Sequence, residues 1–132
     1  DRKKIEKYLA SQKNIDVAYL FGSQTTGKAN ALSDIDIAIL FMDKLSKIER
    51  FKKKLEIMGD LGMLLKTNEI DVLDLNSADL RLQFFAIKNR DLLVNKDNFK
   101  RVIFESTVMT KYQDYRYHIY SLHQEELLYS FQ

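Results

Sequence analysis

The stretch FGSQTTGKANALSDIDIAIL, residues 21–40, decides how this chain is read. Two aspartates, Asp34 and Asp36, stand one residue apart at the head of an apolar run. Like charges repel, and the run behind them asks for burial. That run is rich in β-branched residues, so DIDIAILF (34–41) reads as a strand and not as a helix capped by Ser33 or Asp34. On a strand, side chains at i and i+2 point the same way. Asp34 and Asp36 therefore share a face with Ala38 and Leu40, while Ile35, Ile37 and Ile39 take the other. Two carboxylates roughly 6–7 Å apart on one strand face are costly unless a cation is present. A pair that merely faces water is the plainer alternative. A calcium EF-hand loop is excluded, because its third acidic position, central glycine and closing glutamate are missing. Mg²⁺ meets the need, being held by one or two carboxylates together with substrate phosphates.

Working outward, the phosphates need a cradle. IDVAYLF (15–21) reads as a buried strand that runs directly into Gly22-Ser23. Glycine lets the backbone come close, and a serine opening a short helix exposes N–H groups that favour anions. Gly27 gives a second point of close approach. Alone, Gly-Ser after a strand is an ordinary turn; its value lies in its position before the acidic pair. A third carboxylate lies in EIDVLDL (69–75), a further strand. Asp71 sits between Ile70 and Val72, where an unpaired acid is expensive to bury. Asp74 has the opposite parity and points to the other sheet face, and Glu69 lies at the strand's start. Asp71 is thus the acid to join Asp34 and Asp36. Three carboxylates on two strands make a two-metal phosphoryl-transfer site, with Asp71 as metal ligand or general base.

The remaining pattern alternates. Residues 2–12 are expected to be helical, with Ile5, Tyr8 and Leu9 on one face. From 45 to 66, Leu45, Ile48, Phe51, Leu55, Met58, Gly62 and Leu65 form a helix stripe, with the lysine run 52–54 on the solvated side. Residues 77–89 read as a helix with Ser77 as N-cap, DLLV (91–94) as a short edge strand, and the part from about 97 as one long helix or two. Strands separated by helices indicate a small α/β or α+β sheet with helices packed on it.

Composition narrows the function classes. The 132 residues suit one domain. Net charge is +2, from 21 basic and 19 acidic side chains, so direct nucleic-acid binding by bulk electrostatics is not expected. The absence of cysteine removes disulfides, thiolate catalysis and zinc–thiolate sites. No apolar stretch approaches a membrane span, and no signal peptide is visible. The sequence starts at Asp1 and not at Met, so a removed leader stays open; cytoplasmic residence is the default expectation.

Gly22-Ser23, Gly27, Ser33-Asp34-Ile35-Asp36 and Asp71 together meet the pattern G-S-x-x-x-G-x-x-x-x-x-S-D-x-D with a third acid downstream. In this the chain resembles the nucleotidyltransferases of the DNA polymerase β superfamily. The size and SDIDIAIL look like the minimal nucleotidyltransferases (MNT), the MntA-type antitoxins encoded beside HEPN ribonuclease toxins. The resemblance covers residues 15–76 by motif and the remainder by length and helical pattern. It implies a single nucleotidyltransferase domain over 1–132, a small mixed sheet with helices packed on it, and a helical segment from about 97 to 132. It also implies transfer of AMP from ATP, with two Mg²⁺ ions, to a tyrosine hydroxyl of the HEPN toxin, which silences it. On that reading Gly22 and Ser23 bind the nucleotide, and Asp34, Asp36 and Asp71 hold the metals. The stretch after the third strand is short for a separate substrate domain, so a macromolecular acceptor fits better than a small molecule. A binding module that neutralises the toxin by contact is the alternative; three converging acids favour the enzyme.

Two features of the C-terminal part complete the picture. Arg116 and His123 in RYHIYSLH match the loose Arg-x(4–6)-His spacing of HEPN ribonucleases, but an all-helical HEPN domain conflicts with the strands. Tyr112, Tyr115, Tyr117, Tyr120 and Tyr129 do not all fall on one helix face, so some are expected at the surface, where tyrosines favour protein interfaces.

Overall fold

The computed structural model of the chain describes residues 1–22 and 35–130. In chain order the elements are α1 (Arg2–Ser11), β1 (Ile15–Phe21), β2 (Ile35–Phe41), α2 (Lys47–Leu65), β3 (Ile70–Asp74), α3 (Leu80–Ile87), β4 (Leu92–Asn95) and α4 (Asn98–Ser130). The strands form one mixed sheet in the order β3-β2-β1-β4. β1 is antiparallel to both β2 and β4, and β2 is parallel to β3 across the α2 connection.

The central strands are apolar at nearly every position because helices cover both faces of the sheet. On one face, Ile37, Ile39 and Phe41 pack with Ile5 and Leu9 of α1 and Ile57 and Leu61 of α2. On the other, Ala38, Leu40, Val17 and Tyr19 pack with Ala86 and Ile87 of α3 and Val108 of α4. β1 does not alternate simply. Its register with β2 shifts between Ile15 and Val17. The extra residue at Asp16 turns Ile15 to the face of Ala18 and Leu20, away from Val17 and Tyr19. The buried Asp16 carboxylate accepts from the Lys100 ammonium at 2.6 Å, which also donates to the Phe41 carbonyl at 2.9 Å and to Asp43 at 3.0 Å. Burial alone would lower the Lys100 pKa, but the hydrogen bonds to Asp16 and Asp43 outweigh it and leave it raised.

The face of α2 corrects the expected stripe in part: Leu45 is buried and Met58 and Leu65 pack against the core, as expected. Ser46 and Glu49 form a capping box, so the helix starts where the spacing placed it. Yet Ile48, Phe51 and Leu55 are 68%, 58% and 52% exposed. The buried line is Ile57 and Leu61, flanked by the half-buried Arg50, Lys53 and Lys54. It lies about 100° round the helix from the expected stripe. Lys53, read as solvated, is mostly covered and donates to Gln12 Oε1 at 2.6 Å. Long lysine and arginine stems cover apolar surface while their heads reach polar partners.

Two caps and one long helix complete the frame. Asp79, not Ser77, caps α3, accepting from Leu82 N–H at 2.9 Å. The C-terminal part is a single helix of 33 residues, about 50 Å long. Its first half crosses the sheet; from Lys111 to Glu126 only Tyr112 and Ser121 are as much as half-buried.

Candidate active site

The first residues of β2 and β3 bring the acids together. Asp36 is the register partner of Asp71 on the parallel neighbour strand, so both side chains leave the same sheet face. That face is the one shared with Ala38 and Leu40 and covered further along by α3 and α4. Asp36 is half-buried and Asp71 exposed. Across the antiparallel pair, Asp36 faces Phe21.

Gly22 closes the corner. It follows β1 with φ +77°, a conformation that favours glycine. A Cβ built there would lie 2.5 Å from Asp36 Oδ2. Both the backbone angle and the nearness of the carboxylate exclude a side chain. Gly22 therefore brings the backbone directly against the Asp36 carboxylate. Ser23, Gly27, Ser33 and Asp34 lie outside the described residues. Among the described residues no group of three or more His, Cys, Asp or Glu is placed to hold a metal ion.

Asp74 turns the other way. Its carboxylate is paired with Arg50 Nε of α2 at 2.8 Å. It also accepts from the Asn76 N–H at 2.9 Å and from the Ser77 hydroxyl at 2.9 Å. Glu69 is exposed before β3 begins and uses its carbonyl to accept from Ile35 N–H at 2.8 Å.

Sequence reasoning missed the polar network behind the site. Tyr19, on the face of Asp36, donates its hydroxyl to Glu105 of α4 at 2.7 Å. The other Glu105 oxygen accepts from Arg101 at 3.0 Å. Burial, then the hydrogen bond to Glu105, pushes the Tyr19 phenol well above its ordinary range, so it stays a donor. Tyr19 carries no signal beyond lying in an apolar strand, and Glu105 none beyond a helical pattern. A cavity of about 570 Å³ is lined by Leu40, Asp43, Leu75, Lys100 and Phe104. It sits at the opposite end of β2 from Asp36 and is not where the acids converge.

A mixed sheet with acids at the heads of two parallel strands and a glycine corner beside them is the frame of a nucleotidyltransferase. The family described as Polymerase beta, Nucleotidyltransferase matches residues 3–99, and the chain belongs to it. Protein adenylyltransferase MntA of Shewanella oneidensis is 36% identical over 64 residues. That match spans 48% of this chain and 42% of the relative, so less than half of the curated relative's length is covered. Among solved structures, a chain in the crystal structure of a toxin-antitoxin with AMP-PNP superposes with a TM-score of 0.72 at 25% identity, covering 96% of this chain and 98% of that one. A chain in the rebuilt structure of a tri-AMPylated Shewanella oneidensis HEPN toxin in complex with MNT antitoxin does so with a TM-score of 0.66. There the identity is 22%, with 96% and 99% of the two chains covered, a likeness of fold. The MNT-type nucleotidyltransferase fold expected from the motif is thus the fold observed. No helix among the described residues is long and apolar enough to cross a membrane.

Proposed function

We propose that this chain transfers AMP from ATP to a tyrosine hydroxyl of a HEPN-family ribonuclease toxin in the cytoplasm and so silences it. The observation that carries the reading is the Asp36–Asp71 register pair beside the Gly22 corner. The adenylyltransferase activity of the MntA relative and the toxin–antitoxin complexes of the structural relatives support AMP transfer and a toxin partner.

The donor set suits Mg²⁺: carboxylate oxygens only, on one face, next to a backbone that approaches closely. Asp36 and Asp71, with Asp34, would hold two such ions. When bound, they supply charge neutralisation of the triphosphate and a lower pKa for the acceptor hydroxyl. Gly22 and Ser23 hold the triphosphate through backbone N–H groups. The tyrosine oxygen attacks the α-phosphorus, the bond to the β-phosphate bridge breaks, and pyrophosphate leaves. The phenolic proton goes to a carboxylate, for which Asp71, the more exposed of the pair, is the general base. Residues 1–132 act as one nucleotidyltransferase unit. The far half of α4, with Tyr115, Tyr117 and Tyr120 exposed, supplies the docking surface for the toxin.

The test is mass spectrometry of the toxin after incubation with this protein, ATP and Mg²⁺. One or more added AMP masses on a tyrosine are expected. No adduct, together with full neutralisation by the Asp34→Asn, Asp36→Asn double variant, would replace the enzyme with a binding module.

A further inference from the structure

A second set of chemical groups lies on α3, reaching the end of the sheet where the acids stand through Phe85 and Phe21. Arg81, Phe85 and Lys88 follow at i, i+4 and i+7 and share one helix face. All three are exposed, Phe85 to 48%. Phe85 meets Phe21 edge to face, with ring centroids 6.5 Å apart at 86°. Because Phe21 is the cross-strand partner of Asp36, their Cα atoms lie about 5 Å apart. This places the α3 face at the same end of the sheet as the acids, on the β1 side.

The Lys88 ammonium lies over the Phe85 ring, 4.3 Å from its centroid. That ring face is covered by an exposed cation and not by core. Next to it, Phe84 stacks on Tyr112 of α4 at 3.8 Å and 14°. Together with Asp79 and Arg81 these side chains line a groove of about 460 Å³, within the size range of small-molecule sites. Neither Arg81 nor Lys88 is in an ion pair among the described residues. Phe84 is half-buried against Tyr112, whereas Phe85 meets Phe21 edge to face yet stays half-exposed, with a cation one turn away on each side. An aromatic face with cations at its rim is the chemistry that takes a nucleobase by stacking and a phosphate by charge.

We infer that this groove receives the nucleoside end of the donor nucleotide, with Phe85 as the platform for the base. The inference rests on the nucleotidyltransferase reading above. The base takes the place over the ring now held by Lys88, whose ammonium then turns toward the phosphates at Gly22. Stacking does not read base edges, so the groove sets affinity for a base more than its identity.

The test is titration calorimetry of the full chain, in Mg²⁺, with AMP-PNP and with ribose 5-triphosphate, which lacks the base. Wild type is expected to bind AMP-PNP about tenfold more tightly, in keeping with the worth of one base–aromatic stack. Phe85→Leu should bring AMP-PNP down to the affinity of ribose triphosphate while leaving the latter unchanged, and Phe85→Tyr should restore the difference. Equal wild-type affinity for the two ligands overturns the inference and needs no variant to show it. So does a Phe85→Leu loss that falls on both ligands alike or on neither. A wild type that binds neither ligand removes the nucleotidyltransferase reading, and this inference with it.

Discussion

Asp71 and Asp74 stand three residues apart on one short strand and inhabit different surroundings. Asp74 faces α2, where Arg50, the Asn76 N–H and the Ser77 hydroxyl occupy its oxygens. Asp71 faces the opposite way, is exposed, and has another carboxylate, Asp36, as its register neighbour. Strand parity alone separates them. An acid satisfied by its own chain has few lone pairs left to offer. An acid set beside another acid keeps them for something that arrives from outside.

The largest effect expected follows from that contrast. Asp71→Asn should lower AMP transfer by about 10²–10⁴-fold, the usual worth of a positioned acid–base group, with the melting temperature unchanged. Asp74→Asn should keep most of the transfer but lose about 1–3 kcal/mol of stability in urea titration, because the Arg50 guanidinium stays part-buried with a weakened partner. Equal losses of activity from both, at normal stability, would dissolve the distinction.

Gly22→Ala sharpens it from the other side. The variant removes no chemical group, yet it strains a positive-φ residue and pushes on the Asp36 carboxylate. Displacing a catalytic acid by about 1 Å can cost about 10²-fold, so a drop of that order in the transfer assay is expected, with the sheet intact by circular dichroism. Unchanged activity would mean that Asp36 does not act from the position it holds beside Gly22.

The smallest effect concerns an acid that is satisfied, like Asp74, but exposed. The Ser46 N–H, then the Ser46 hydroxyl, hold the Glu49 carboxyl below its ordinary 4.5. A carboxyl lowered in the folded state adds stability above its unfolded value and loses it as pH falls through the folded one. Wild type should therefore shed a small increment of stability below pH 4.5, and Glu49→Gln should not show that step in melting curves taken across the range.

The strands and the acids were legible because a strand has only two faces. Once Ile37 and Ile39 are buried on one, Asp36 must leave by the other, and β3 repeats the reasoning for Asp71 and Asp74. α2 was not legible in the same way. A helix has a continuous choice of face, and its apolar residues span more of its circumference than the sheet covers. The sheet took the side carrying Ile57 and Leu61 with the lysine stems, and left Ile48, Phe51 and Leu55 out. The Asp16 bulge was also hidden: one inserted residue breaks the alternation of β1, and the Lys100 that satisfies Asp16 is 84 positions away. Tyr19 and Glu105 meet for the same reason, across 86 positions that no local pattern connects.

The far half of α4 has left the sheet behind, yet it stays in the same unbroken helix as the half packed over the core. A partner docking on Tyr115, Tyr117 and Tyr120, as proposed, would therefore meet a surface whose backbone is already helical. Little conformational entropy remains to be lost on association. Encounter is then a docking of preformed shapes, and differences in affinity among variants of this surface should appear mainly in how long the complex lasts, not in how fast it forms.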